Sequence, residues 1–274
     1  MHEAPEDRAM PNPDPEPASP LLEFDPARGA VIEPAAAVRG FVVPETLVVC
    51  FFREAIERLC EAEGADEIGR LVSEMGEVPV RAVDWRGTSV GIAQGGVGAP
   101  LAAGWLEELV ALGARRVVVA GGAGALVPGL TLGHVVVPTA AVRDEGTSHH
   151  YLPAARTVEP TPAAVAAVTR TLEREGVPFV TGLTWTTDAF YRETRAKVER
   201  RVAEGCLTVE MEAAALFAVA RFRRIELAQM LYAGDDLSGE AWDHRGWQAH
   251  ATGRDLLLRL ACDAAVAVGE AAGA

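Results

Sequence analysis

The stretch Val117–Leu126, VVVAGGAGAL, decides the fold class, because four consecutive apolar residues run straight into a glycine cluster, Gly121-Gly122-Ala123-Gly124. A strand with no polar face is one whose sheet is covered on both sides by helices. Glycines at its C-terminal end let backbone approach a ligand closely and expose N–H groups. Working outward, Thr46–Phe52 (TLVVCFF), His134–Thr139, Phe179–Thr184, Leu207–Val209 and Leu227–Ala233 read as further strands. Helical patterns lie between them: Arg53–Glu63 stopping at Gly64, Leu101–Leu112 ended by Gly113, and one opened by Thr161-Pro162 and ending at Gly176. Glu193–Glu204, Glu212–Phe222 and a last helix over about Gly246–Gly269 complete the set. Val80–Trp85 and Thr88–Ala93 flank Arg86-Gly87, a hairpin signal that makes the sheet mixed. The alternation predicts an α/β layer fold.

Composition sets the outer limits. The chain has 274 residues, 49% of them apolar, enough for a sizeable core and incompatible with global disorder. Residues 1–20 carry six prolines and mostly acidic charge, and are expected to form a flexible tail; residues 21–274 read as one domain. A net charge of −14 argues against nucleic acid or an anionic membrane as partner, while leaving room for a local site for one small anion. No apolar run approaches the roughly 20 residues of a membrane helix, and the N-terminus lacks a signal-peptide plan. Cys50, Cys60, Cys206 and Cys262 form no CxxC pair, and read as reduced, mostly buried thiols of a cytoplasmic protein.

Three clusters can carry chemistry. Gly95–Pro100 (GGVGAP) joins Gly121–Gly124 as a second glycine-rich strand end. Neither has the Lys-Ser/Thr ending of a P-loop, neither gives GxGxxG opening a helix, and tight-turn packing is the alternative for each. In Val209–Leu216 (VEMEAAAL), Glu210 and Glu212 flank Met211 where an apolar strand enters an apolar helix. Such a carboxylate either accepts hydrogen bonds from sugar hydroxyls or serves the helix dipole. Tyr232-Ala233-Gly234-Asp235-Asp236 ends a buried strand, where a carboxylate is placed for acid–base work or caps a turn. Adjacent His149 and His150 point apart with no third ligand at sensible spacing, so no metal site is expected. Arg143 reads chiefly as a structural ion-pair residue. Trp242–Trp247 (WDHRGW) reads either as a lid or as surface packing.

In order along the chain, GVGAP at Gly96–Pro100, GGAGAL at Gly121–Leu126, LGHVVVPTAAVRDEGTSHHYLP at Leu132–Pro153, TTDAFYRET at Thr186–Thr194 and VEMEAAAL at Val209–Leu216 resemble the nucleoside phosphorylase family. That family includes uridine phosphorylases, bacterial hexameric purine nucleoside phosphorylases and related nucleosidases. The resemblance runs from about Thr46 to the C-terminus. It implies a single α/β catalytic domain around a mixed, barrel-like sheet, assembled as homo-oligomers (dimers or trimers of dimers). It implies cleavage of a nucleoside's N-glycosidic bond, with inorganic phosphate as cosubstrate and no other cofactor. Position by position it implies Glu212, Met211 and Glu210 at the ribose, and Phe190, Tyr191 and Gly122 at the base. Asp235 falls where purine-cleaving members keep the aspartate that protonates the leaving base, with Arg245 assisting, so a purine-like nucleoside is expected. The sequence also departs from the family pattern. Cys50-Phe51-Phe52-Arg53 replaces the phosphate loop Gly-Asp-Pro-x-Arg, Val119 replaces an arginine, and Gly122 replaces a serine or threonine. Gly96, Gly121, Gly122 and Arg53 are left to hold phosphate. Two alternatives follow from those gaps: a nucleosidase of the same fold that uses water, and a nucleoside-binding protein without catalysis.

Overall fold

The computed structural model describes residues 19–38 and 40–273. The elements in chain order are α1 (Pro34–Ala37), β1 (Thr46–Cys50), α2 (Arg53–Glu63), β2 (Asp66–Ser73), β3 (Gly76–Trp85), β4 (Thr88–Gln94), α3 (Ala99–Ala111) and β5 (Arg116–Ala125). They continue as β6 (Val135–Asp144), β7 (Thr157–Val158), α4 (Pro162–Arg174), β8 (Phe179–Thr187), α5 (Arg195–Ala203), β9 (Cys206–Glu210), α6 (Ala213–Arg223), β10 (Glu226–Asp236) and α7 (Ala251–Gly273). The strands form one mixed sheet in the order β10-β6-β8-β9-β5-β1-β4-β3-β2. A further pairing of β10 with β5 closes five of these strands into a barrel, as the resemblance implies.

The pivot is β5. Along Arg116–Ala120 it pairs in parallel with β1, and at Gly124–Ala125 it pairs antiparallel with β9, while β10 accompanies its other edge. Between the two partners lie Gly121–Ala123, so the strand does not end at Ala120 as the sequence suggests but runs through its glycines. The small residues are needed for closure: a Cβ on Gly124 would sit 2.6 Å from Leu237 Cδ1. Above Ala120 the alternation of side chains explains the unbroken apolar run. Val118 and Ala120 face a core built with α2, α4 and α7, whereas Val117 and Val119 face one built with α3 and α6. Both faces are dry, so both need apolar residues.

Other boundaries shift for local reasons. β2 escapes the sequence reading because it is an edge strand with mostly exposed residues, Leu71 being its one buried side chain. α5 starts at Arg195 and α7 at Ala251, each after a short 3-10 turn, Phe190–Arg192 and Trp247–Ala249. Gly64 and Gly176 end α2 and α4 with φ of 64° and 66°, as the glycine stops predict. Thr161 precedes α4, yet its hydroxyl serves the backbone of Leu227, accepting its N–H at 2.9 Å. Of the expected tail over residues 1–20, residues 1–18 lie outside the described residues, and Pro20 opens a turn of 3-10 helix, Pro20–Leu22. All four cysteines are buried and free. Among the described residues no helix is long and apolar enough to cross a membrane.

Candidate active site

A cleft of about 740 Å³ opens where β1, β5 and β10 end and β9 turns into α6. The C-terminal ends of parallel strands are where open α/β sheets bind ligands. Glu210, Met211, Glu212, Phe190, Tyr191, Gly121, Gly122 and Asp235 all line it. Gly96, Arg53 and Arg245 do not.

At the β9–α6 junction the two carboxylates divide their duties. Glu210 Oε2 accepts the N–H groups of Glu212 at 2.7 Å and Ala213 at 2.6 Å, and its Oε1 accepts the Thr186 hydroxyl at 2.6 Å. The Thr186 hydroxyl oxygen in turn accepts Ala214 N–H at 2.9 Å. The acid that serves the helix N-terminus is therefore Glu210. Glu212, 7% exposed, turns its carboxyl toward the strand end across the cleft, where Oε1 accepts Gly98 N–H at 2.6 Å. Gly98 has φ of 88°, a conformation that costs glycine little and any side chain more. Burial pushes the Glu212 carboxyl well up, and the neighbouring Glu210 charge pushes it further. Gly96 lies on the same loop but packs inward, since a Cβ there would meet Leu101 Cγ at 2.5 Å.

A second group of cleft residues comes from β10 and the segment after β8. Phe190 and Tyr191 are 50% and 88% exposed, with ring centroids 4.1 Å apart. Trp242 donates its indole N–H to Asp235 Oδ2 at 2.6 Å, which places the Trp242–Trp247 segment against the cleft. Asp236 is turned elsewhere: burial pushes its carboxyl up, but Ser238 and Arg245 hold it below the usual range. Arg245 forms an ion pair with Asp236 and donates to Leu130 O at 2.6 Å, so it does not reach back to Asp235 as the sequence suggests. Glu193, which the sequence reading placed inside a helix, lies just before α5 and lines the cleft half-buried. Burial pushes its carboxyl up to about 7, with Asp235 adding to the rise and Lys197 opposing it.

The remaining wall is unlike the family's phosphate loop. Arg53 is 75% exposed and paired with Glu57 at 2.9 Å, pointing away from the cleft. The Phe51 ring occupies the space between two glycines; a Cβ on Gly95 would meet it at 2.7 Å and one on Gly121 at 3.2 Å. Gln229 is buried here with its Oε1 unpartnered. Arg254 is the single arginine or lysine among the described lining residues. Its guanidinium lies between the rings of Phe52 at 4.9 Å and Trp247 at 5.2 Å, ion-paired to Glu54 and donating to Tyr232 Oη at 3.3 Å. No local signal marks Arg254, because its ion-pair partner Glu54 and the Phe52 ring lie near the other end of the chain. Arg143 is also buried, but donates to Ser148 Oγ at 2.8 Å and to the carbonyls of Pro153 and Leu152, tying down a loop with no ion-pair partner among the described residues.

Comparison with known proteins agrees with this architecture. A uridine phosphorylase of Treponema pallidum is 30% identical over 188 residues, covering 65% of this chain and 72% of that one. A guanosine phosphorylase of Halorubrum lacusprofundi is 32% identical over 151 residues, covering 55% and 63%. The crystal structure of a uridine phosphorylase from Vibrio fischeri, complexed with 6-hydroxy-1-naphthoic acid, superposes with a TM-score of 0.70 at 29% identity, covering 81% of this chain and 91% of that one. The model of one family, described as the phosphorylase superfamily, matches residues 45–261, from the residue before β1 into α7. With that match over most of its length, the chain belongs to the phosphorylase superfamily.

Proposed function

We propose that the chain cleaves the N-glycosidic bond of a nucleoside with a purine-like base, and that inorganic phosphate takes up the sugar. The observation that carries this reading is the meeting in one cleft of a sugar-type carboxyl, Glu212 beside Met211 and Gly98, and a base-type wall of Phe190, Tyr191, Glu193 and Asp235. Ribose hydroxyls donate to Glu212, and that contact strengthens as positive charge develops on the sugar ring. The base departs against the aromatic pair, and a carboxyl of the Glu193–Asp235 wall neutralises the charge it accumulates. Arg254 is the cation available to phosphate, and the names of the uridine and guanosine phosphorylases support phosphate as the nucleophile.

Hydrolysis by water is the second reading, and one observation favours it. Phe51 fills the space between Gly95 and Gly121, while Val119 is buried in the core and Arg53 points away. Product analysis separates the readings. Ribose 1-phosphate with saturation by phosphate supports phosphorolysis; free ribose at a phosphate-independent rate supports hydrolysis; binding without turnover would leave a nucleoside-binding protein. A homo-oligomer belongs to the same proposal, since Val97, Phe190 and Tyr191 at the cleft are exposed apolar groups that a second copy would cover. Light scattering of the purified chain tests it.

A further inference from the structure

We propose that Glu193 is the proton donor to the leaving base, and that with Asp235 as acceptor it selects 6-aminopurine nucleosides over 6-oxopurine ones. The inference rests on reading the cleft as a glycosidic-bond site and adds the base it takes.

The two carboxyls have different surroundings. An indole N–H can only donate, so the 2.6 Å contact from Trp242 fixes Asp235 Oδ2 as an acceptor. Glu193 has no such donor: among the described residues no hydrogen bond or ion pair engages its carboxyl. Its backbone is set by the turn, with Glu193 N–H donating to Phe190 O at 3.2 Å and Thr194 N–H to Arg192 O at 2.8 Å. That turn carries Phe190 and Tyr191 into the same wall. The charged groups that bear on Glu193 are Asp235 from β10 and Lys197 from α5. The Lys197 ammonium is held at 3.3 Å by Asp144 and lies 5.8 Å from the Trp185 ring centroid, which leaves the Asp235 charge the larger influence. Glu193 is the carboxyl of this wall without a donor, and burial together with the Asp235 charge favours its protonated form. The wall then offers an O–H donor at Glu193 and an acceptor at Asp235.

A purine's outer edge tells the two classes apart. A 6-aminopurine places the N7 acceptor beside an amino donor, whereas a 6-oxopurine places N7 beside a second acceptor, O6. Glu193 O–H to N7 with Asp235 accepting from the amino group satisfies the first. The second would set O6 against the Asp235 carboxylate. During cleavage the C1′–N9 bond breaks with its electron pair passing into the base, the Glu193 proton moves to N7, and a phosphate oxygen bonds to C1′. The proton that phosphate loses returns through solvent to the Glu193 carboxylate.

The test is calorimetric binding of adenosine, inosine and uridine to the full chain without phosphate at pH 6 and pH 8.5, followed by turnover with phosphate. Adenosine should bind at least tenfold tighter than inosine or uridine at pH 6, with the advantage shrinking at pH 8.5 as Glu193 ionises. Glu193→Gln keeps an N–H donor, so its preference should survive at both pH values while kcat falls about 10²-fold or more for want of a transferable proton. Equal affinity for adenosine and inosine in the wild-type protein at pH 6 overturns the proposal, and needs no variant to fold. Turnover of adenosine by Glu193→Gln within threefold of wild type also overturns it. Selective adenosine binding with no product under any condition would sustain the base selection and sink the cleavage reading instead.

Discussion

Replacing Glu212 with glutamine separates a carboxylate that serves a substrate from one that serves the fold. The carboxamide oxygen can still accept Gly98 N–H, so the 2.6 Å tie between α6 and the Gly98 loop survives. What disappears is the negative charge the carboxyl can offer the sugar once ionised, as it is at pH 8.5. A hydrogen bond to a charged group contributes about 1.5–3 kcal/mol, and a neutral one about 1. Losing that difference at two ribose hydroxyls costs roughly 3 kcal/mol in the transition state, or about 10²-fold in kcat/KM. Stability moves the other way. The folded Glu212 carboxyl sits above its unfolded value, raised by burial and by Glu210. Its contribution is therefore complete below the unfolded pKa and is lost as pH rises toward the folded one. Each unit of that interval costs about 1.4 kcal/mol, so the variant should be more stable than wild type at pH 8.5, by a much larger margin than at pH 5. For a chain of this size each kcal/mol gained raises the melting temperature by roughly 2–4 °C. Steady-state kinetics on a nucleoside and thermal melts at the two pH values give both readouts. A variant within threefold of wild-type activity, or one that melts lower at pH 8.5, would refute the assignment.

Arg254→Met should raise the KM for phosphate at least tenfold while changing the KM for nucleoside little, as measured by initial rates over a phosphate series; a phosphate-independent wild-type rate would answer the question first. Thr186→Val removes both the hydroxyl given to Glu210 and the oxygen that accepts Ala214 N–H, and should cost on the order of 2–3 kcal/mol in chemical denaturation. The four thiols should stay unreactive toward a disulfide reagent until the protein unfolds, because burial pushes Cys50 and Cys206 up to about 12 and raises Cys60 and Cys262 as well. Rapid modification of any of them in the native protein contradicts the packing described.

The fold was legible wherever a local pattern had one physical meaning. The apolar runs of β1 and β5 needed two covered faces, and Gly64 and Gly176 needed left-handed backbone. β2 was not legible, because an exposed edge strand has no apolar period to read. In the cleft, Glu210 and Glu212 stood out in the sequence but their roles did not. Only the N–H groups of Glu212 and Ala213 on one carboxylate and that of Gly98 on the other show which serves the helix. Arg254 and Glu193 were out of reach for a different reason. Each acquires its place from groups distant in sequence: Arg254 contacts Phe52 and Glu54, and Glu193 lines the cleft with Asp235. Arg245 had the right residue type near Asp235 in sequence, but the turn hands it to Asp236.

The same long-range logic bears on the nucleophile. Phe51 N–H donates to Ala120 O at 3.1 Å and Gly95 N–H to Cys50 O at 2.9 Å, so residues 50–51 continue strand pairing on both sides of β1. That pairing fixes where the Phe51 ring goes, and the ring then requires glycine at 95 and close to glycine at 121. The three positions are one packing unit that lays an apolar floor under the cleft. Phe52, the next residue, also lines the cleft and forms one side of the Arg254 stack. One short stretch thus both closes the floor to an anion and positions the cation that stands beside it. Phosphate entering this cleft must therefore be bound from the α7 side, competing with Glu54 for Arg254. A water molecule needs neither step: it can use the unpartnered Gln229 oxygen at the same floor. On the proposed reading, phosphate serves as nucleophile if it can draw Arg254 away from Glu54, and water serves if it cannot.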